Sequence, residues 1–185
     1  MIDWSAVAAI GSILSAAVIA VSAILALRQV RQLQRATQLD GTMRVFAQFS
    51  DPEFIAARKF VFHELPNKLK DPAFVAEVKN YTHVDLADHP EYRVLLFLQI
   101  VGSLVNDGLV SGPNVYRFAQ YSIIKSWEIL EPVVRMQRIA TGNPYMWGGA
   151  DFLYENAKRW LAQDAARRNV VNPATGAPWS PDQLR

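Results

Sequence analysis

The stretch Ala6–Leu27 reads AVAAIGSILSAAVIAVSAILAL, with no charge and nothing more polar than serine. About 22 such residues make roughly 33 Å of helix, enough to cross the hydrocarbon core of a bilayer. A buried helix of a water-soluble domain is usually shorter and keeps a polar stripe. A cleavable leader would need a basic start, whereas Met1–Ser5 carries only Asp3, and no Ala-x-Ala site follows the run. The stretch is therefore expected to be an anchor.

Its flanks set the expected orientation. Arg28, Arg31, Arg35 and Arg44 follow the run against a single acid, Asp40, and Lys/Arg beside a span stay on the cytoplasmic side. The reading is single-pass, with the N-terminus outside and the remainder in the cytoplasm. Trp4 falls where an interfacial ring is favoured. Ala8, Ser12, Ala16 and Ala20, with Gly11 and Ser15 beside them, give a small-residue face on which a second helix can approach closely.

Beyond the run, no glycine or proline interrupts the chain until Gly41, so the helix should continue as a stalk. Val30, Leu33, Ala36, Leu39, Met43 and Phe46 recur every three or four residues, one apolar stripe against an arginine-rich face. The stripe is suited to pair with another copy or to fold back on the domain. The arginines are read first as an orientation signal and second as headgroup contacts.

Helix starts are marked by Ser50-Asp51-Pro52-Glu53, Asp71-Pro72 and Asp88-His89-Pro90-Glu91. Pro66 should end the second helix and Asn106-Asp107-Gly108 the fourth. These signals predict helices over 5–49, 52–65, 72–81, 90–106, 113–140 and 146–168, with no sheet. Phe54, Ala57, Val61 and Leu65 share a face, and VLLFLQIVGSLV from Val94 to Val105 should be the central buried helix. Pro132 is expected to kink or break its helix. The expected organisation is all-α: an anchor over 1–27, a stalk over 28–49, a cytoplasmic helical bundle over 50–168 and an extended tail over 169–185.

Composition narrows the chemistry. The chain has 185 residues, 51% hydrophobic and 19% charged, with a formal net charge of +2 and no cysteine. Disorder, disulfide scaffolds, iron–sulfur clusters and thiol catalysis are excluded, and the charge is too small to imply nucleic acid. His83, Asp85, Asp88 and His89 are metal-ligand types, but Asp88 reads better as a helix cap and further ligands are lacking. No nucleophile elbow, phosphate loop or dinucleotide fingerprint occurs. Glu128 and Glu131 lie one turn apart, yet Lys125, Arg135 and Arg138 nearby favour ion pairs over proton transfer. Gly148-Gly149 before Ala150-Asp151 reads as a turn plus cap. No catalytic, cofactor or metal residue is assigned, and no enzyme activity is expected.

The segment from Trp127 to Trp160 concentrates aromatics and arginines, the types that anchor interfaces, although core packing accounts for most of them. The candidate interface residues are Gly11, Ser15, Val30, Leu33, Trp147 and Trp179. Arg135, Arg138 and Tyr154 are candidates for sensing a small ligand.

The anchor followed by LRQVRQLQRATQLDGTMRVFAQFSDPEFIAARKFVFHELP and, later, SWEILEPVVRMQRIATGNPYMWGGADFLYE resembles a family of uncharacterised bacterial proteins over most of residues 6–160. The resemblance implies one membrane helix joined to a small helical cytoplasmic domain, and brings no catalytic residues. The expected function is a protein-binding or accessory subunit of a membrane complex, associating through the span and stalk. The alternative is a ligand-gated, oligomerising membrane effector of a stress or phage-defence response.

Overall fold

A computed structural model describes residues 4–80, 88–168, 170 and 176, with side chains from Val18 onward except Arg35. The described residues are helical and contain no strand, so the fold is all-α. In chain order the helices are α1 (Trp4–Phe49), α2 (Pro52–His63), α3 (Leu65–Lys68), α4 (Pro72–Lys79), α5 (Pro90–Asn106), α6 (Gly112–Thr141) and α7 (Gly148–Arg167). The chain divides into two compact units, Met1–Asp40 and Gly41–Arg185.

In the first unit, Val18, Ile19, Val21, Ile24, Leu25 and Leu27 are all more than half exposed, as are Val30 and Leu33. Among the described residues, no helix is long and apolar enough to cross a membrane. The side chains of residues 6–17 in the apolar run, Gly11 and Ser15 included, lie outside the described set.

The second unit is organised around α5. Val94, Leu95, Phe97, Leu98, Val101 and Gly102 are buried, and α2, α6 and α7 all pack against this helix. Phe54, Ala57 and Val61 of α2 and Leu65 of α3 bury the predicted face. The last turns of α1 belong to this unit. Phe46 stacks on Phe118 at 4.4 Å between ring centroids, Phe49 meets Phe54 at 5.6 Å, and the Arg58 guanidinium lies 4.5 Å above the Phe49 ring.

Helix starts follow local chemistry with two corrections. Asp51, rather than Ser50, caps α2, its carboxylate accepting from Glu53 N at 2.9 Å and Phe54 N at 3.0 Å. Asp71 caps α4 through Ala73 N at 2.9 Å. At the third start Asp88 is exposed and His89 takes the cap position, with no side-chain cap bond, because its ring is held by carboxylates described below. Pro66 lies in the first turn of α3, which starts at Leu65 after α2 has already ended at His63.

The expected kink or break at Pro132 does not take the form of a break: helix α6 runs continuously through it. Leu130, Val133 and Val134 on either side of the proline are fully or almost fully buried, so core packing keeps both halves helical. Helices α5 and α7 touch backbone to backbone. A Cβ on Gly102 would collide with the Gly149 carbonyl, and one on Gly149 would lie 2.6 Å from Gln99 O.

Candidate functional site: a charged cleft between α6 and α7

Trp127, Glu131, Val134, Arg135 and Arg138 recur at three- and four-residue steps along one face of α6. Asp151, Tyr154 and Glu155 do the same on the first turns of α7. Together with Glu128 they line an open cleft of about 740 Å³. Its wall includes two tilted rings, Trp127 and Tyr154, with centroids 5.9 Å apart. Trp127 is buried and Tyr154 half-buried.

Most of the charges around the cleft are paired. Arg135 Nη2 donates to Glu131 Oε1 at 2.7 Å, an exposed one-turn pair. Arg138 bridges to Asp151 through Nη2, and its Nε donates to Met146 O at 2.9 Å, so it ties the α6–α7 turn to α7. Lys125 Nζ lies 3.7 Å from Glu128, and the Lys158 ammonium sits 5.3 Å from the Tyr154 ring centroid. Glu128 and Glu131 thus each have a cationic partner, the arrangement their neighbours in sequence predicted.

The head of α7 is fixed from both sides. Gln99 of α5 accepts from Gly149 N at 2.9 Å and Ala150 N at 3.2 Å, supplying the cap that Asp151 was expected to provide. Trp147 precedes the helix in the left-handed region, with φ at 65°, a conformation a bulky residue adopts only when its surroundings compel it. Its buried ring supplies that constraint: Nε1 donates to Gln137 Oε1 at 2.6 Å. Gln137 Nε2 donates in turn to Tyr92 Oη, which donates to Val78 O at 3.2 Å. A buried chain of polar groups thereby joins α4, α5, α6 and the turn before α7.

A second buried polar group sits at the start of α5. Glu91 is fully buried, with Oε1 2.7 Å from His89 Nδ1, and His89 Nε2 lies 3.4 Å from Glu77 Oε2. Desolvation pushes the Glu91 carboxyl above the usual glutamate range, with the His89 bond, a bond from its own backbone N–H and the His89 charge acting in the opposite direction. Among the described residues Glu91 Oε2 has no hydrogen-bond partner, and neither has Arg58 Nη1. Burial lowers the Arg58 guanidinium below its ordinary value.

The structure therefore brings three of the residues singled out in the sequence, Arg135, Arg138 and Tyr154, to one cleft. Trp147 is not an exposed interface residue, since it is buried and hydrogen-bonded in the core beside that cleft. Val30 and Leu33 are exposed on α1. Trp179, His83 and Asp85 lie outside the described residues, as does nearly all of the tail. Among the described residues no three His, Asp or Glu side chains are placed to hold a metal ion. Glu91, Gln137 and Gln99 were missed by sequence reasoning, and only their position inside apolar helical faces signalled them.

Residues 16–160 match DUF4760, a domain of unknown function, and the chain belongs to that family. No curated protein and no solved structure matches it.

Proposed function

We propose that this DUF4760 chain is a membrane-anchored helical module that binds a protein partner, as an accessory subunit of a membrane complex, without catalysis of its own. The observation that carries the reading is the outward apolar surface of the first helix. From Val18 to Leu27 the large apolar side chains are exposed at 52–69% and are not confined to one side. Such a surface requires lipid or another helix to cover it. The arginines at 28, 31, 35 and 44 favour an orientation with the helical unit on the cytoplasmic side of a bacterial inner membrane. Val30 and Leu33 extend the apolar contact into the stalk, and Gly11 and Ser15 give the span a face for close helix approach.

The test is extraction of the C-terminally tagged chain from its native membrane in mild detergent, with light scattering for mass and mass spectrometry for companions. A defined complex with other subunits is expected. Recovery of the chain in the aqueous fraction, without detergent, would overturn the anchor, and a particle of this chain alone would overturn the accessory role.

One observation favours a second reading, a ligand-gated oligomerising effector. Arg135, Arg138 and Tyr154 share the α6–α7 cleft with Trp127, a combination suited to stacking and charge recognition. Both arginines already hold carboxylates, so an anionic ligand must exchange for Glu131 or Asp151. Particle size measured with and without nucleotides decides it: a ligand-dependent increase supports this reading, and an unchanged size removes it.

A further inference from the structure

His89 is 5% exposed, and each of its ring nitrogens faces a carboxylate on a different helix. Nδ1 lies 2.7 Å from Glu91 Oε1 on α5, and Nε2 lies 3.4 Å from Glu77 Oε2 on α4. The Phe74 ring of α4 closes one side with centroids 5.2 Å apart, and Tyr92 of α5 meets the imidazole edge-on at 5.8 Å. Among the described residues, the ionisable groups facing the imidazole are thus Glu77 from α4, and Glu91 and Tyr92 from α5. Helix α6 contributes an uncharged amide, that of Gln137, through Tyr92.

The geometry points to a proton-controlled latch in which His89 fastens α4 to the start of α5 when its ring is doubly protonated and releases Glu77 when it is not. An imidazolium has two N–H groups and satisfies both carboxylates, whereas a neutral imidazole has only one. The two carboxylates do not compete equally for that single proton. Glu91 is fully buried and its Oε2 has no hydrogen-bond partner, so losing the His89 bond leaves a desolvated carboxylate without its side-chain partner. Glu77 has a side chain 64% exposed and turns to water at little cost. Deprotonation therefore keeps Nδ1–H on Glu91, leaves Nε2 as an acceptor facing Glu77, and loosens α4 rather than α5.

Helix α4 is the element able to respond. It has eight residues, and besides the latch it is held by Phe74, Val78 and the Val78 carbonyl bond from Tyr92.

The test is backbone amide hydrogen exchange of the full chain in detergent, corrected for intrinsic rates, at about pH 5.5 and about pH 8. In the wild type, exchange across Ala73–Lys79 should rise about threefold at the higher pH, the scale of one partly exposed ion pair, while α5 and α6 stay unchanged. Glu77→Gln removes the charge from an exposed position without threatening the fold. Its α4 should exchange at the released rate at both pH values. His89→Gln should do the same. If that variant does not fold, Glu77→Gln carries the test alone. A wild type without the step, a step that persists in Glu77→Gln, or an equal step in α5 and α6 would each overturn the latch.

Discussion

Residues 18–27 and residues 94–105 are both long apolar stretches of helix, and most of their side chains end in opposite places, although Leu96 and Ile100 of the second are exposed. In the first, Val18, Ile19, Ile24 and Leu25 face outward, more than half exposed. In the second, Val94, Leu95, Phe97, Leu98 and Val101 are at most 3% exposed, packed among α2, α6 and α7. Hydrophobicity alone does not distinguish them. What differs is the company: Gln99, Gly102 and Ser103 interrupt the second stretch with groups that another helix uses, whereas the first offers only alanine and serine. An apolar helix with such partners becomes the middle of a bundle, and one without them leaves its apolar side chains exposed.

The sharpest way to break this comparison is a pair of identical truncations. Leu130→Ala in the core should cost about 3 kcal/mol of stability, because it empties a fully buried site. Leu25→Ala should leave the unfolding of the helical unit unchanged within about 0.5 kcal/mol. Thermal unfolding in detergent, followed by near-ultraviolet circular dichroism, reads both. Equal losses would mean that Leu25 is packed as tightly as the core. A second pair tests the close crossing. Gly102→Ala should cost about 2 kcal/mol, since its methyl meets the Gly149 backbone, which cannot give way as a side chain tip can. Gly148→Ala places the same methyl in open space beside that contact and should be close to neutral. If both are tolerated, the two helices are not in fixed backbone contact.

A smaller effect distinguishes buried from exposed charge. Glu91 holds its proton more tightly folded than unfolded, because burial disfavours the carboxylate. The folded state then binds more protons between the ordinary glutamate value and the raised one, so stability from this group falls as pH rises through that window. Glu91→Gln should remove that fall, so that stability declines less, or rises more steeply, with pH across the window. Denaturant midpoints from about pH 4 to pH 7 would show it, and an unchanged slope would place the titration elsewhere.

Much of this was legible in the sequence where the signal is local. Asp51-Pro52 and Asp71-Pro72 start helices because a carboxylate and a fixed φ act within one turn. Arg135, Arg138 and Tyr154 stand out by residue type, and a common helical face brings them together. What failed depended on distant chain. Asp88 lost the cap position because the neighbouring His89 is claimed by Glu77 and Glu91. Pro132 did not break α6 because Leu130, Val133 and Val134 are held by other helices. The Gly102–Gly149 contact and the Gln99 cap join segments far apart in sequence, so no spacing rule reveals them.

The smallest expected effect sits on the cleft, where two arginines of similar appearance do different jobs. Arg135 is 66% exposed and pairs with Glu131 one turn away on its own helix, so Arg135→Ala should change stability by no more than about 0.5 kcal/mol. Arg138 is 26% exposed and joins α6 to Asp151 and to the Met146 carbonyl, so its loss leaves a half-buried carboxylate and a carbonyl with one partner fewer. Arg138→Ala should cost about 1 kcal/mol more than Arg135→Ala in the same unfolding measurement. An equal cost for the two would show that the Arg138 bridge adds nothing to the α6–α7 junction. Because Arg135 is nearly free of structural duty, a change in partner or ligand binding on its removal reports recognition at the cleft rather than damage to the fold.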